Sequence, residues 1–398
     1  GAPAGSGSSG SRQVCLLDAK RAQNVAIVLR QVRMPTEELS EVLRWMRLSC
    51  DLSADALEHV YDNLLPPLLD CNELLQYTGA AEELRDVERQ LLPLAKLPRL
   101  KARLQTMLFS KSMPGMHGSL LARIRTLRDA CTQVRNSTAL RRVFGTVLRV
   151  GNYLNHGVDA PDAGGGVEVR GFTVESLLKL RDFRATAGGE VSALHCVVLH
   201  LLPVEPRLPS MLHKELRSVL EPGDSANGGE VGGGIGDLRD AVGRFQSETD
   251  MVKSEIERFG DCYRLAEGEP AEGPGPLAAL QRLVEDAGEM AQGLECALGE
   301  ALQAAWGLLE YFGEQRGGSP SGNWTDETVE RFFATLREFV VSFEDCWRDV
   351  MEQPKRLKLE AATASSVTTA KSGNGGGPGA GAGPGLGPAP ASAAASAA

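Results

Sequence analysis

Two long runs of apolar residues, spaced alternately four and three residues apart, constrain the fold of this chain more than any other feature. The first run comprises Leu238, Val242, Phe245, Thr249, Val252, Ile256 and Phe259. The second comprises Leu280, Val284, Ala287, Ala291, Leu294, Leu298, Ala301, Ala305, Leu308 and Phe312. This spacing places each run on one seam of a helix, which is the pattern of coiled coils. A Gly- and Pro-rich segment (268–276) separates the runs, so the sequence predicts two long helices joined as an antiparallel hairpin.

The N-terminal half also has helical periodicity. Thr36 is placed to begin a helix after Pro35, and Ser53 is placed to begin another that Pro66 and Pro67 would end. Three further apolar stripes run over 97–108, 120–134 and 140–148, and the last is expected to end near Gly151. No alternating strand pattern is visible, so the predicted fold class is all-α.

Both ends of the chain have a composition that cannot form a core. Residues 1–11 are rich in Gly and Ser and are interpreted as a flexible linker. Residues 361–398 consist mainly of Ala, Gly, Pro and Ser, too few large apolar groups to offset the entropy of ordering, and are predicted to be disordered. The folded domain is therefore predicted over 12–360.

Charge is unevenly distributed along the chain. Residues 1–185 hold 25 Lys and Arg against 20 Asp and Glu, whereas the remainder holds 17 against 32. The segment 99–149 holds eleven basic residues and a single acid, Asp129. Such a density favours an acidic partner. Nucleic acid is not expected, because the segment lacks interleaved aromatic residues and any known recognition motif.

The residues of common enzyme sites are missing from this sequence. The eight cysteines are scattered without a C-x-x-C pair, and the six histidines show no H-E-x-x-H spacing, so no metal site is expected. The glycines at 164–166 and 232–234 lack the strand–turn–helix context of a phosphate loop. His195 and His200 lie among apolar residues, as core histidines do. We therefore expect neither an enzyme nor a cofactor, and no run of residues is apolar enough to span a membrane.

Several motifs in a fixed order carry a resemblance to a known family. They are "LLDAKRAQNVAIVLRQVRMPTEEL" (16–39), "KLPRLKARLQTMLF" (96–109), "GNYLNHG" (151–157), "RGFTVESLLKLRDFRA" (170–185), "ALHCVVLHLLP" (193–203) and "TDETVERFFATLREFVVSFEDC" (325–346). Together they resemble the formin homology 2 domain, the actin-assembling domain of formins. The resemblance implies an elongated, crescent-shaped helical domain with a knob, a coiled-coil segment and a post. It also implies nucleation of actin filaments and association with their barbed ends in the cytoplasmic actin cytoskeleton.

The resemblance assigns an actin-binding set of residues. In the family one isoleucine of the knob and one Lys or Arg after the post loop contact actin, which corresponds here to Ile27 and Arg184. Neighbouring polar residues complete the predicted set: Lys20, Arg21, Asn24, Lys179 and Arg181. Periodicity alone would favour burial of Ile27 in the apolar run "NVAIVL", and only the resemblance places it on the surface.

The resemblance also assigns a dimer interface. In the family two domains form a head-to-tail ring, in which a tryptophan-bearing lasso of one copy wraps the post of the other. The post residues implied here are Gly151, Asn152, Tyr153, Asn155, Gly171 and Phe172. Only eleven residues precede the knob segment and all four tryptophans lie elsewhere, so the lasso is expected to be missing from this chain. A homodimer is expected if a lasso is supplied; the alternative is a helical scaffold or adaptor with weakened actin-assembly activity.

Overall fold

The computed structural model describes seven stretches of the chain: residues 14–32, 34–156, 171–184, 190–221, 234–263, 275–314 and 325–353. Within them nearly every ordered segment is helical, and the sole β pairings of these stretches are the isolated bridges Val14–Leu84 and Arg184–Ser192. The predicted all-α fold class is confirmed. The predicted linker 1–11 and disordered tail 361–398 lie outside the described residues.

The chain divides into two compact units. Unit 1 comprises Gly1–Leu120 and Ala241–Glu295, and unit 2 comprises Leu121–Asp240 and Cys296–Ala398. The helices before the first long helix are α1 (Ala19–Gln31), α2 (Thr36–Arg44), α3 (Ala54–His59), α4 (Leu65–Leu69), α5 (Asn72–Leu75) and α6 (Asp86–Ala95). The remaining helices are α7 (Leu100–Asn136), α8 (Thr138–His156), α9 (Ser176–Asp182), α10 (Ala193–Leu201), α11 (Leu208–Glu215), α12 (Arg217–Leu220), α13 (Ile235–Phe259), α14 (Pro276–Tyr311) and α15 (Asp326–Glu352). Short helical turns of other types cover Val60–Leu64, Ala81–Glu83 and Gly260–Tyr263.

Unit 1 is built around the packing of α1 and α2 against α6. Leu39 and Leu43 of α2 and Leu91 and Leu94 of α6 are fully buried. Ser53 caps α3 as expected, since its side chain accepts a hydrogen bond from the Ala56 N–H at 3.2 Å. Thr36, by contrast, is a buried residue of the first turn of α2 rather than its cap.

The proline pair of unit 1 does not end a helix, so that prediction is wrong. A π-helical turn over Val60–Leu64 runs directly into α4, where Pro66 and Pro67 occupy the first turn. Proline has no N–H to donate, and it is tolerated in the first turn of a helix because the N–H groups of that turn have no acceptor within the helix itself. Leu65 and Leu68 are buried on either side of the pair, and burial holds the turn together.

Helix α7 joins two stripes that the sequence had suggested as separate helices. Pro114 lies inside it and removes one N–H from the helical ladder, which in an isolated helix costs about 3 kcal/mol. Phe109 and Met113 before the middle of the helix, and Leu120 and Ile124 after it, are all buried. Burial of this continuous apolar face stabilises the helix by more than the N–H missing at Pro114 destabilises it.

The two predicted seams are confirmed as the buried faces of α13 and α14. Leu238, Val242, Phe245 and Val252 of the first seam are buried, and its last member, Phe259, is partly exposed beneath the Arg99 guanidinium, which lies 3.7 Å from the ring centroid. Most members of the second seam are buried at or below 6% exposure: Leu280, Ala287, Ala291, Leu294, Leu298, Ala301, Ala305 and Leu308.

Unit 2 packs α10 against both α8 and α15. Glu215 at the end of α11 anchors the start of α8: it accepts hydrogen bonds from the Ser137 hydroxyl at 2.7 Å, the Thr138 hydroxyl at 2.9 Å and the Ala139 N–H at 3.0 Å. A carboxylate there satisfies a helix N–H and complements the positive end of the helix dipole. Burial raises the pKa of Glu215, but the hydrogen bonds from Ser137, Ala139 and Thr138 outweigh it and the net pKa lies below its usual value.

Candidate functional site

Helix α1, which carries Ile27, is fixed by its N-terminal end. The Asp18 carboxylate caps it by accepting a hydrogen bond from the Arg21 N–H at 2.9 Å. One residue earlier, the Leu17 N–H donates to Glu88 Oε1 at 3.2 Å and the Leu17 carbonyl accepts from Arg85 Nη2 at 3.0 Å. Glu88 is completely buried, and Arg85 Nε donates to its Oε2 at 2.9 Å. A buried charge with these partners is satisfied, so the entry into α1 is held rigidly.

Ile27 lies on the exposed face of α1 and is 50% exposed. The buried face of the same helix carries Ala22, Val25 and Val28. At 100° per residue, Ile27 is directed away from that face and shares a stripe with Lys20 and Asn24, which are both exposed. The expectation from periodicity that this isoleucine is core is wrong; its neighbours in the run "NVAIVL" supply the core instead.

Arg21 lies outside this stripe, on the side of α1 that carries Val25 and Val28, and is engaged within unit 1. Its guanidinium lies 3.2 Å from the Asp18 carboxylate and 3.8 Å from that of Asp70. All three side chains are about half exposed, and pairs of this kind contribute little to stability. The helical surface around Ile27 is therefore an apolar side chain bordered by Lys20 and Asn24.

The second part of the predicted actin-binding set lies at the end of α9 in unit 2. Leu177 and Leu180 bury one face of this short helix, while Lys179 and Arg181 are exposed on the other. Arg181 Nη1 donates to the Ser342 hydroxyl of α15 at 3.3 Å. Arg184 follows the helix end, is exposed, and pairs its backbone with Ser192 in an antiparallel bridge.

The predicted post residues of "GNYLN" form the last turns of helix α8, which ends at His156, so the helix ends next to this motif as expected. Gly151 itself does not stop the helix, which continues for five more residues. Gly151 is buried, Asn152 is half-buried, and Tyr153 is 44% exposed on the outer face. Asn155 belongs to the same helix, and its side chain lies outside the described residues. Gly151 is therefore a buried residue within the helix and not the helix stop that was expected.

Phe172, which follows the glycine-rich residues 157–170 in sequence, packs against the core of unit 2. Its ring packs edge-on against Phe144 of α8 with centroids 5.6 Å apart. Phe144 also contacts Phe312 at 6.2 Å and Phe339 at 6.1 Å. Aromatic pairs in this geometry stabilise packing beyond simple burial. Gly171 and Phe172 are half-buried and lie against the helix that carries Tyr153; the intervening glycine-rich residues 157–170 are outside the described part.

Comparison with known families decides what this chain is. The family model described as the Formin Homology 2 Domain matches residues 3–344. The chain belongs to the formin family. The match covers most of the formin homology 2 domain predicted over 12–360, whose precise boundaries stay a prediction.

Curated proteins are similar to this chain over between 46% and 92% of its length. Formin-like protein 14 of Arabidopsis thaliana is 26% identical over 92% of the chain, and Disheveled-associated activator of morphogenesis 1 of Homo sapiens is 23% identical over 77%. Formin-like protein 6 of Oryza sativa subsp. japonica is 33% identical over 46% of the chain. The chain spans about a quarter of the length of the first two relatives, 27% and 26%.

The basic segment 99–149 of the formin homology 2 domain does not form a single basic face. Arg103 is buried in unit 1, and Arg99 Nε donates to Glu255 Oε1 at 2.8 Å. Lys111 Nζ donates to the Cys50 carbonyl, and Arg142 forms an ion pair with Glu205. The exposed arginines of α7 and α8 in unit 2 are Arg125, Arg128, Arg135, Arg141, Arg142 and Arg149. Residue counts along the chain therefore overstated the basic surface.

Two features of this formin homology 2 domain were missed from the sequence. Phe183 is 49% exposed directly beside Arg184, although an aromatic residue at a helix end usually indicates core. Ser192 and His195 form a buried capping box at the start of α10. The sequence signal for it was a serine three residues before a histidine, a variation of the usual S-x-x-E pattern.

No group of three or more His, Cys, Asp or Glu side chains in the described stretches could hold a metal ion. In the same stretches, no helix has both the length and the apolar character to cross a bilayer.

Proposed function

We propose that this formin homology 2 domain binds actin, nucleates filaments and associates with their barbed ends in the cytoplasmic actin cytoskeleton. The observation that carries the proposal is the exposure of Ile27 on the face of α1 opposite the core. The exposed half of this isoleucine, bordered by Lys20 and Asn24, is not used by the core of unit 1. It provides an apolar anchor with a polar rim, the composition typical of binding hot spots.

Arg184 supplies the second proposed contact. It is exposed beside the exposed ring of Phe183, and Lys179 and Arg181 add positive charge on the same helix end. Guanidinium groups bind carboxylates in a planar, bidentate manner, which suits an acidic protein such as actin. The proposed actin contacts are thus an apolar anchor on unit 1 and, separately, a cationic segment on unit 2.

We propose further that the domain acts as a head-to-tail homodimer through Tyr153, Asn152 and the surface near Phe172. Tyr153 presents a large, partly apolar ring on the outer face of α8, and such residues are enriched in interfaces. Gly151, two residues earlier and on the opposite side of the helix, is buried, so the outer face at this point is formed by Tyr153. A lasso segment supplied by a second copy would occupy this surface.

The magnitude expected for the anchor follows from its exposure. Complete burial of an isoleucine side chain contributes about 1.5–3 kcal/mol, and half of the Ile27 surface is still available for an interface. Ile27→Ala should therefore weaken actin binding by about 1 kcal/mol, or about fivefold. Alanine is a better helix former than isoleucine, so the stability of unit 1 should be unchanged or slightly higher.

Assembly of pyrene-labelled actin with the full chain, and with the chain extended by a lasso, tests this proposal. Wild type should accelerate nucleation or alter barbed-end elongation, Ile27→Ala and Arg184→Asp should weaken the effect, and Met251→Ala should not. Met251 is the matched control, an apolar residue of α13 with 38% exposure outside the proposed surface. No effect of wild type on nucleation, elongation or capping in either form would refute the function. Binding without any change in assembly would favour the scaffold alternative.

A further inference from the structure

The segment that presents Arg184 is fixed through its backbone. The Phe183 N–H donates to the Lys179 carbonyl at 3.0 Å, closing the end of α9. On the return of the chain, the Ala193 N–H donates to the Phe183 carbonyl at 2.8 Å, and Arg184 forms its antiparallel bridge with Ser192. The side chains of Phe183 and Arg184 are exposed while their backbone is held. We call this pairing of 183–184 with 192–193 the clasp.

The inner side of the clasp is a buried capping box. Ser192 and His195 are 2% and 8% exposed. His195 Nδ1 lies 3.1 Å from the Ser192 nitrogen and 2.8 Å from its hydroxyl, and the His195 N–H donates to that hydroxyl at 3.4 Å. In the usual box a Glu or Gln side chain occupies this position and reaches back to the cap N–H. Here an imidazole takes that role.

The hydrogen bonds determine the tautomer of His195. A backbone N–H can only donate, so Nδ1 must accept from Ser192 and carries no proton. The proton of the neutral ring is then on Nε2, which lies 3.6 Å from Asp349 Oδ2 of α15. Through its two nitrogens, the His195 ring at the start of α10 thus lies between Ser192 of the clasp and Asp349 of α15.

We propose that His195 is a positioning residue for Arg184, acting through Ser192; this rests on the proposed function, in which Arg184 contacts actin. Ser192 pairs with Arg184 in the bridge, whose hydrogen bond runs from the next residue, Ala193, to the Phe183 carbonyl, while the Ser192 N–H donates to the ring of His195. Loss of the ring leaves that N–H without its acceptor, so the backbone at Ser192 and Ala193, which forms one half of the clasp, is held less firmly. An arginine on a loosened segment must be ordered when it binds, which lowers affinity.

A double-mutant cycle in the full chain tests this role by actin affinity. Arg184→Ala should weaken binding about tenfold, as expected for an interfacial arginine. His195→Leu should weaken it by a similar factor, and the double variant should bind no more than about twofold worse than Arg184→Ala alone. His195→Gln should restore wild-type affinity, because glutamine completes the ordinary capping box.

The outcomes separate the two proposals. Wild-type affinity of Arg184→Ala would overturn the actin contact at this residue. A loss with Arg184→Ala but none with His195→Leu, or factors that multiply in the double variant, would overturn the positioning role alone. A role confined to stability would give multiplying factors, because it would not depend on the Arg184 side chain.

Hydrogen exchange supplies a readout that does not involve actin. The Ala193 amide, which donates to Phe183, should exchange faster in His195→Leu than in wild type and should be protected again in His195→Gln. Equal protection in all three proteins would overturn the inference. Ser192→Ala serves as the second disrupting variant if His195→Leu does not fold, with the same expected non-additivity with Arg184→Ala.

Discussion

Arg103 provides the most stringent test of how unit 1 is held together. It is 2% exposed, although arginine is among the residues least often buried. Its guanidinium donates to the carbonyls of Pro98 at 2.9 Å, Leu43 at 3.0 Å, Arg44 at 2.9 Å and Cys262 at 2.9 Å. These carbonyls belong to the end of α2, the chain before α7 and the turn after α13.

The ring of Tyr263 completes the environment of Arg103. The guanidinium carbon lies 4.2 Å from the ring centroid, and the Tyr263 hydroxyl donates to Glu255 Oε1 at 2.9 Å. Burial lowers the pKa of Arg103, and nearby Tyr263, Cys262 and Glu255 oppose that effect. The side chain therefore stays charged, and its charge is compensated by carbonyl dipoles and a ring face in the absence of a direct carboxylate partner among the described residues.

Arg103→Met removes the guanidinium while filling a similar volume. Hydrogen bonds from a charged donor contribute about 1.5–3 kcal/mol each before the desolvation of the charge is subtracted. A net of about 1 kcal/mol for each of the four bonds predicts a loss of about 4 kcal/mol in the free energy of unfolding. Arg103→Lys keeps the charge but has one nitrogen, so it should recover less than half of that loss.

Urea unfolding followed by tryptophan fluorescence measures the effect. Trp45 is the single tryptophan in the sequence of unit 1, and it follows Arg44, whose carbonyl accepts from Arg103. Arg125→Met is the matched control, because it alters an exposed arginine of the same helix and should change stability by no more than about 0.5 kcal/mol. An unfolding free energy of Arg103→Met within about 1 kcal/mol of wild type would show that the four bonds do not hold unit 1 together.

Two further predictions concern unit 2. Glu215→Gln should destabilise it by about 1–2 kcal/mol at neutral pH, because the charged cap of α8 is lost, whereas Glu338→Gln on the exposed face of α15 should not. Since the pKa of Glu215 is lowered on folding, its contribution to the free energy of unfolding is complete above its usual pKa of 4.5 and is lost as pH falls through the lower folded value. Urea titrations at several pH values measure this contribution, and a pH-independent difference between Glu215→Gln and wild type would contradict it. Burial lowers the pKa of His195 below 6.5; Asp349 raises this pKa, and Arg184 and Arg181 lower it further. The neutral ring therefore stabilises the fold fully above pH 6.5, and this stabilisation is lost as pH falls through the lower folded pKa. His195→Gln should remove this dependence from melting temperatures measured below pH 6.5, and equal slopes for the two proteins would refute it.

Local patterns in the sequence predicted the helices well. Heptad spacing depends only on the order of residues and the geometry of one helix, so the buried faces of α13 and α14 followed from it directly. Termini were less predictable. Pro66 and Pro67 were expected to end a helix, and the stripes before and after Pro114 were interpreted as separate helices, yet the helical path continues through all three prolines.

The candidate site was predictable only in part. Motif order indicated the family and thereby Ile27, Arg184 and the post residues. Periodicity gave the wrong face for Ile27, because an apolar run of six residues covers more than one side of a helix. The clasp could not be predicted from the sequence, because Arg184 and Ser192 pair through a backbone bridge that no side-chain pattern encodes.

The sequence by itself determined an all-helical formin homology 2 domain, since helical periodicity and ordered motifs are written along the chain. Only the tertiary structure determined which of its charged side chains are buried and which are exposed. Arg103 and Arg125 are indistinguishable in a count of basic residues, yet one is buried among carbonyls of three segments, two of them distant in sequence, and the other is exposed. The physical reason is that an arginine is buried only where separate parts of the chain converge to supply acceptors, and that convergence is a property of the folded molecule.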